Sequence, residues 1–146
     1  MEDKTLGLLG LMRRAGAIAI GMDNTADAVR AGKARLLLLS TDAAESARRK
    51  AEFLTNGRSV MTVELPCTRE ELAACLGVSG CAAAAVTDLG FANALMKALA
   101  AEDPERYGPI AQETERRCEK AARRRRETAQ RRQAKRNEKR RTEGWV

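Results

Sequence analysis

Cys67, Cys75 and Cys81 are the candidate nucleophiles of this chain, and the sequence holds nothing to activate them. A catalytic thiol or hydroxyl needs a neighbouring base, most often imidazole. The 146 residues include no histidine. The same absence excludes zinc sites that lean on imidazole, and no cysteine pair, Cys118 included, has Cys-x-x-Cys spacing. The four thiols therefore read as reduced and structural. Acidic residues are scattered at helix starts rather than paired, so no general acid–base couple stands out. No Walker phosphate loop is present, nor a Gly-x-Gly-x-x-Gly after a strand. Gly7-Leu8-Leu9-Gly10 lies within a helical stripe and reads as packing. The expectation is a protein that is not an enzyme, with no cofactor, no metal and no small-molecule substrate.

Cations are the remaining chemistry. Net charge is +7, from 27 Lys and Arg against 20 Asp and Glu. Residues 1–100 carry 12 basic and 11 acidic side chains, whereas residues 101–146 carry 15 and 9. Within 110–142 the balance is 14 to 5, and Arg123, Arg124, Arg125 and Arg126 form an unbroken block. Such blocks seek polyanions, and each phosphate neutralised releases counterions. These four arginines are candidate RNA contacts; the plainer alternative is a solvated, charge-laced helix. The chain has only four aromatic residues, too few to stack single-stranded bases on platforms.

Elements that would hold these groups can be read from periodicity. Leu6, Leu9 and Met12 give helical spacing over residues 4–15. Ala17–Ile20 is a strand candidate ending at Gly21. Asp23, Asn24 and Thr25 offer three N-cap types, Asn24 and Asp27 resemble a capping box, and Gly32 stops the helix that follows. Leu36–Leu39 is apolar throughout, as in a strand buried on both faces. Asp42 and Glu45 open a helix striped by Ala44, Ala47, Ala51 and Leu54. Residues 60–65 alternate like a strand, and Thr68-Arg69-Glu70-Glu71 is a capping box for a helix ending at Gly77. Cys81–Val86 is alanine-rich and would favour helix by propensity. Its brevity, between Gly80 and the cap at Thr87-Asp88, argues for a strand. Phe91, Leu95 and Leu99 mark a last core helix.

Alternation of this kind places helices on both faces of a central sheet. The expected organisation is a domain over residues 1–102 and a basic extension over 103–146. The domain is expected to fold without that extension. From Ile110 to Glu143 there is no Gly or Pro. The stretch could form a helix about 50 Å long, but with no continuous apolar stripe it reads as frayed or as ordering on RNA. No apolar run approaches a membrane span, and Met-Glu-Asp-Lys is no secretory leader, so a cytoplasmic protein is expected.

One segment is more specific: Gly21-Met22-Asp23-Asn24-Thr25-Ala26-Asp27-Ala28-Val29-Arg30-Ala31-Gly32-Lys33-Ala34-Arg35, running into Leu36–Leu39 and Asp42. It resembles the L7Ae/L30e family of kink-turn RNA-binding proteins. In that family a strand ends in Gly, a helix follows, then Gly, a basic pair and a hydrophobic strand leading to Asp. Arg69-Glu70-Glu71-Leu72, Leu76-Gly77 and Ala85-Val86-Thr87-Asp88-Leu89-Gly90-Phe91-Ala92 are similar as well, especially to the bacterial YlxQ-like branch. The likeness covers about residues 4–99.

The resemblance implies a three-layer α/β/α sandwich with a central mixed four-stranded sheet. It also implies recognition of a kinked duplex containing tandem sheared G·A pairs. The implied contacts are the segment Gly21, Met22, Asp23, Asn24, Thr25 and Asp27, and the loop Val78, Ser79, Gly80, Cys81 and Ala82 before the last strand. Helix N-terminal N–H groups favour phosphate there, and groove shape does most of the selection. Lys33 and Arg35, with Arg13 and Arg14, are candidate phosphate contacts. The implied partner is kink-turn-like RNA, ribosomal RNA and the ribosome included, with a role in translation.

This chain departs from the archaeal pattern Gly-x-Asn-Glu-x-x-Lys, having Gly21-x-Asp23-Asn24-x-x-Asp27. Guanine presents the acceptors O6 and N7 in the major groove. Asn and Lys can donate to them, whereas ionised Asp cannot. Weak binding, binding to a variant element, and retention of the fold alone all stay open. A protein–protein interaction module is the alternative function.

Overall fold

Leu36–Leu39, apolar at every position, becomes the inner strand β2, with all four residues buried. The structure is a computed structural model and describes residues 1–144. Three further strands join β2: β1 (Ile18–Ile20), β3 (Met61–Glu64) and β4 (Ala83–Val86), in the order β1-β4-β2-β3. β2 and β3 are parallel, with Leu36 opposite Met61. β4 runs antiparallel to both its neighbours, Val86 facing Ile18 on one side and Leu36 on the other. The sheet is mixed, as expected.

Side chains along a strand alternate between faces. Leu36 and Leu38 join Leu9 and Met12 of α1 (Asp3–Arg14), Leu72 and Leu76 of α4 (Arg69–Leu76), and Leu95 and Leu99 of α5 (Leu89–Glu102). Leu37 and Leu39 join Ala26 and Val29 of α2 (Met22–Arg30), and Ala51 and Leu54 of α3 (Glu45–Thr55). Two helical layers thus enclose the sheet, and each buried leucine contributes about 2 kcal/mol of transfer free energy. β4 shows context overriding propensity. Ala83, Ala84 and Ala85 prefer helix in isolation, yet between two strands their backbone groups pair on both sides and their small side chains fit under both layers.

Caps fix the helix positions. Thr68 Oγ1 accepts from the Glu71 N–H at 3.2 Å, and Glu71 Oε1 accepts from the Thr68 N–H at 3.1 Å, completing the expected box. α4 ends at Gly77 with φ 68°, and a Cβ there would lie 2.6 Å from the Arg13 guanidinium. Arg13 thus packs at the C-terminal end of α4, where the dipole favours a cation. Asp42 does not cap α3. That helix starts from Ala44 without a side-chain cap, and Asp42 instead accepts from the Arg69 N–H at 2.8 Å. Ala44, expected in the α3 stripe, is exposed because the turn after β2 places it ahead of the first helical residue.

The last helix, α6, spans Pro104–Glu143 and passes through Gly108-Pro109 without a break. Proline costs one backbone hydrogen bond there. The chain divides into a compact unit Met1–Thr114 and a second unit from Glu115. The first unit includes the opening turns of α6: Tyr107 and Ala111 are buried in the core, and Tyr107 Oη donates to the Glu64 carbonyl at 2.5 Å. Glu64 also accepts from Arg48 at 2.5 Å and pairs with Arg106. The second unit is helical through Glu143 and exposed along its described length, apart from half-buried positions before Arg123.

Candidate nucleic-acid interface

Gly21 sets the start of α2. Its φ of 90° and ψ of 160° belong to a region only glycine occupies readily. Its N–H donates to the Ala83 carbonyl at 2.9 Å, which pins the start of α2 to the start of β4. Gly21 is itself the N-cap, with no side-chain cap, so the expected cap from Asp23, Asn24 or Thr25 does not form. The glycine turn has already brought Met22 into the helix, and those three residues stand inside the first turn. Uncapped first-turn N–H groups are left for an outside acceptor.

The side chains follow from that register. Asp23 is fully exposed, with its carboxylate 4.0 Å from Lys50 Nζ on α3. Asn24 is exposed, and its Nδ2 donates backward to the Ile20 carbonyl at 2.8 Å. Thr25 is fully buried, and Asp27, one turn on from Asp23, is exposed. Met22 is half-buried.

The loop before β4 supplies the neighbouring wall. Val78, Ser79 and Gly80 are exposed; Cys81 is buried, with Sγ donating to the Ala83 carbonyl at 3.0 Å. Burial raises the Cys81 thiol above its ordinary pKa, which keeps it protonated. The Ala82 carbonyl accepts from the Ser40 N–H at 2.9 Å. Met22, Ala82 and Ala83 share a hollow of about 270 Å³ with Ser46, Ala47 and Lys50. Gly80, Cys81 and Ala82 share another, of about 560 Å³, with Asp42, Thr68, Arg69 and Glu70. One end of the sheet therefore carries the α2 start, the first half of α3, the loop before β4 and the α4 start. Desolvation pushes the Asp42 carboxyl up, but the Arg69 N–H, then the Ser40 hydroxyl and Asp42's own N–H, and last the Arg69 guanidinium, together hold it below its ordinary pKa.

Other candidates lie elsewhere. The Arg35 N–H donates to the Val86 carbonyl at 2.7 Å, at the end of β4 away from Gly21, and Lys33 precedes it in the same turn. Three residues of strand, about 10 Å, separate the two ends. Arg123, Arg124, Arg125 and Arg126 belong to the second unit and are all exposed. Lys50 and Ser46 are additions that sequence reasoning missed. They follow Asp42 on α3, and their nearness to Met22 and Asp23 comes from helix packing. Among the described residues no three Cys, Asp or Glu side chains gather as a metal set, and no helix is long and apolar enough to cross a membrane.

Solved structures share this architecture. A protein with unknown function from Bacillus halodurans is 29% identical, with a TM-score of 0.59 over 64% of this chain and 94% of that one. The Giardia lamblia 15.5kD RNA binding protein is 19% identical, with a TM-score of 0.53 over 64% of this chain and 80% of that one, which shows a shared fold. No curated protein matches the chain. Residues 3–96, from α1 into α5 and including both walls of the hollowed sheet end, match one family along their whole length. The chain belongs to the ribosomal protein L7Ae/L30e/S12e/Gadd45 family.

Proposed function

We propose that this chain is a non-enzymatic RNA-binding protein of the bacterial YlxQ-like branch, cytoplasmic and ribosome-associated, that reads kink-turn-like RNA. In this reading the Gly21–Asp27 edge and the Val78–Ala82 loop face the kinked duplex. The observation that carries it is the uncapped start of α2 held against the start of β4, with free N–H groups at a concave sheet end. A helix N-terminus of this kind favours a phosphate without needing an aromatic platform. The family resemblance supplies the RNA class, and the shared fold of the Giardia RNA binding protein agrees with it. The second unit adds affinity of a sequence-independent kind through its cations. Filter binding of the full chain to a kink-turn RNA and to a control with its G·A pairs disrupted tests the reading. Tighter binding to the kink-turn supports it, and equal affinity removes specific recognition.

A second reading has its own observation. Asp23, Asp42 and Glu70 lie at the same sheet end, beside Lys50 and Arg69. An edge this acidic suits a basic protein partner better than a phosphate backbone. Partners that stay bound in a pull-down after nuclease treatment would favour this alternative.

A further inference from the structure

Helical geometry divides the arginine block of the second unit. Arg124 and Arg131 are seven residues apart, as are Arg125, Arg132 and Lys139. Seven residues are nearly two turns, so each series runs along one line of α6 with a drift of about 20°. Thr128 lies between the two lines. Its neighbours at three and four residues in both directions are Arg124, Arg125, Arg131 and Arg132. Around this centre Arg124, Arg125, Thr128, Ala129 and Arg132 line a hollow of about 420 Å³, because the two small side chains stand lower than the arginines.

Acids avoid this face. Arg125 and Arg132 have no acidic residue at three or four positions in either direction, their neighbours there being Ala, Thr, Lys and Arg. Glu127 flanks only the outer edge, beside Arg124 and Arg131. Arg123, in contrast, has Glu119 and Glu127 at four positions on either side. The face holds no large apolar side chain, so it offers a protein partner little to bury. A guanidinium presents a planar fork that matches phosphate oxygens, and Thr128 adds a hydroxyl donor at the floor of the hollow.

We infer that the face centred on Thr128, carried by Arg124, Arg125, Arg131 and Arg132, binds the phosphate backbone of double-helical RNA without reading sequence. The inference rests on the RNA reading above, and it assigns the tail's affinity to one face rather than to net charge. The test uses the full chain and a plain RNA duplex without a kink-turn, followed by fluorescence anisotropy across a salt series. Two triple variants remove equal charge: Arg124→Gln/Arg125→Gln/Arg132→Gln on this face, and Arg123→Gln/Arg126→Gln/Arg141→Gln on the other side. Far-UV circular dichroism checks that both stay helical. The first is expected to lose at least about tenfold in affinity and to flatten the salt dependence by two to three contacts, as roughly −0.9 per phosphate on a duplex implies. The second should lose less than about threefold, because its arginines lie off the Thr128 face and two of them, Arg123 and Arg141, have an acid three or four residues away. Equal losses in the two variants would overturn the inference, as would no duplex binding by the wild-type chain or displacement by polyglutamate as effective as by duplex. Kink-turn discrimination is measured separately, as the ratio of kink-turn to disrupted control. Its loss in the wild-type chain would sink the kink-turn reading and leave the duplex result standing.

Discussion

Asp23 and Asp27 stand one helical turn apart on the exposed side of α2, where a groove-reading helix would carry donors. In the proposed kink-turn reading each carboxylate would face a guanine acceptor, and each would then cost binding twice, by lacking a proton and by carrying the wrong charge. Asp23→Asn with Asp27→Lys is expected to tighten kink-turn binding by about tenfold in filter binding, at the low end of one base contact's worth. Gly21 is constrained differently. Nothing lies within 4 Å of a Cβ placed there, so Gly21→Ala is not crowded. Its φ of 90° makes the substitution costly by roughly 1–3 kcal/mol, readable as a lower urea midpoint. Cys67 sets an alkaline limit. Burial and then the Glu71 carboxylate push its thiol up from 9.0 to about 11. The unfolded thiol loses its proton first, so native stability falls as pH rises from about 9 toward 11, and Tyr107, also raised by burial, adds in the same direction. Thermal melts across that window should show a decline that Cys67→Ala makes shallower.

At the scale of elements, ends matter more than middles. The α4 capping box satisfies two orphan N–H groups at once, so Thr68→Ala should lower stability by about 1 kcal/mol. α2 lacks any such side chain, and its first-turn donors are available to a ligand for that reason. The opening of α6 behaves as a core element. Tyr107 is buried and bonded to Glu64, and Ala111 lies in the same cluster as Leu95 and Leu99. A chain ending after Thr114 is therefore expected to melt cooperatively at close to the full-length temperature. A chain ending after Asp103 uncovers the side of the core that Tyr107 fills and should melt several degrees lower, measured by circular dichroism.

Across the whole molecule, charge and architecture are separable. The first hundred residues are near neutral and hold all of one hydrophobic cluster and most of the other, which Tyr107 and Ala111 complete, while the excess of cations lies beyond them. Removing residues 115–146 should flatten the salt dependence of RNA binding while leaving the ratio of kink-turn to control affinity unchanged. The alternation of helices and strands, the buried β2, the α4 box and the basic extension were all legible from local patterns, because periodicity, caps and charge blocks act over a few residues. The family resemblance pointed to one sheet end, through Gly21 and the loop before β4. What local pattern could not supply was the partner of each group. Asp42 looked like the cap of α3 and serves α4; Asp23–Thr25 looked like caps and lie inside a helix that Gly21 begins. Lys50 reaches Asp23 only because α2 and α3 pack side by side, and Lys33 and Arg35 fall at the far end of β4. The sequence alone determined which elements form and where the charge resides, since those depend on neighbours along the chain. Tertiary structure alone decided which residues share the sheet end and that α6 begins inside the core, since those depend on contacts between residues far apart in the chain.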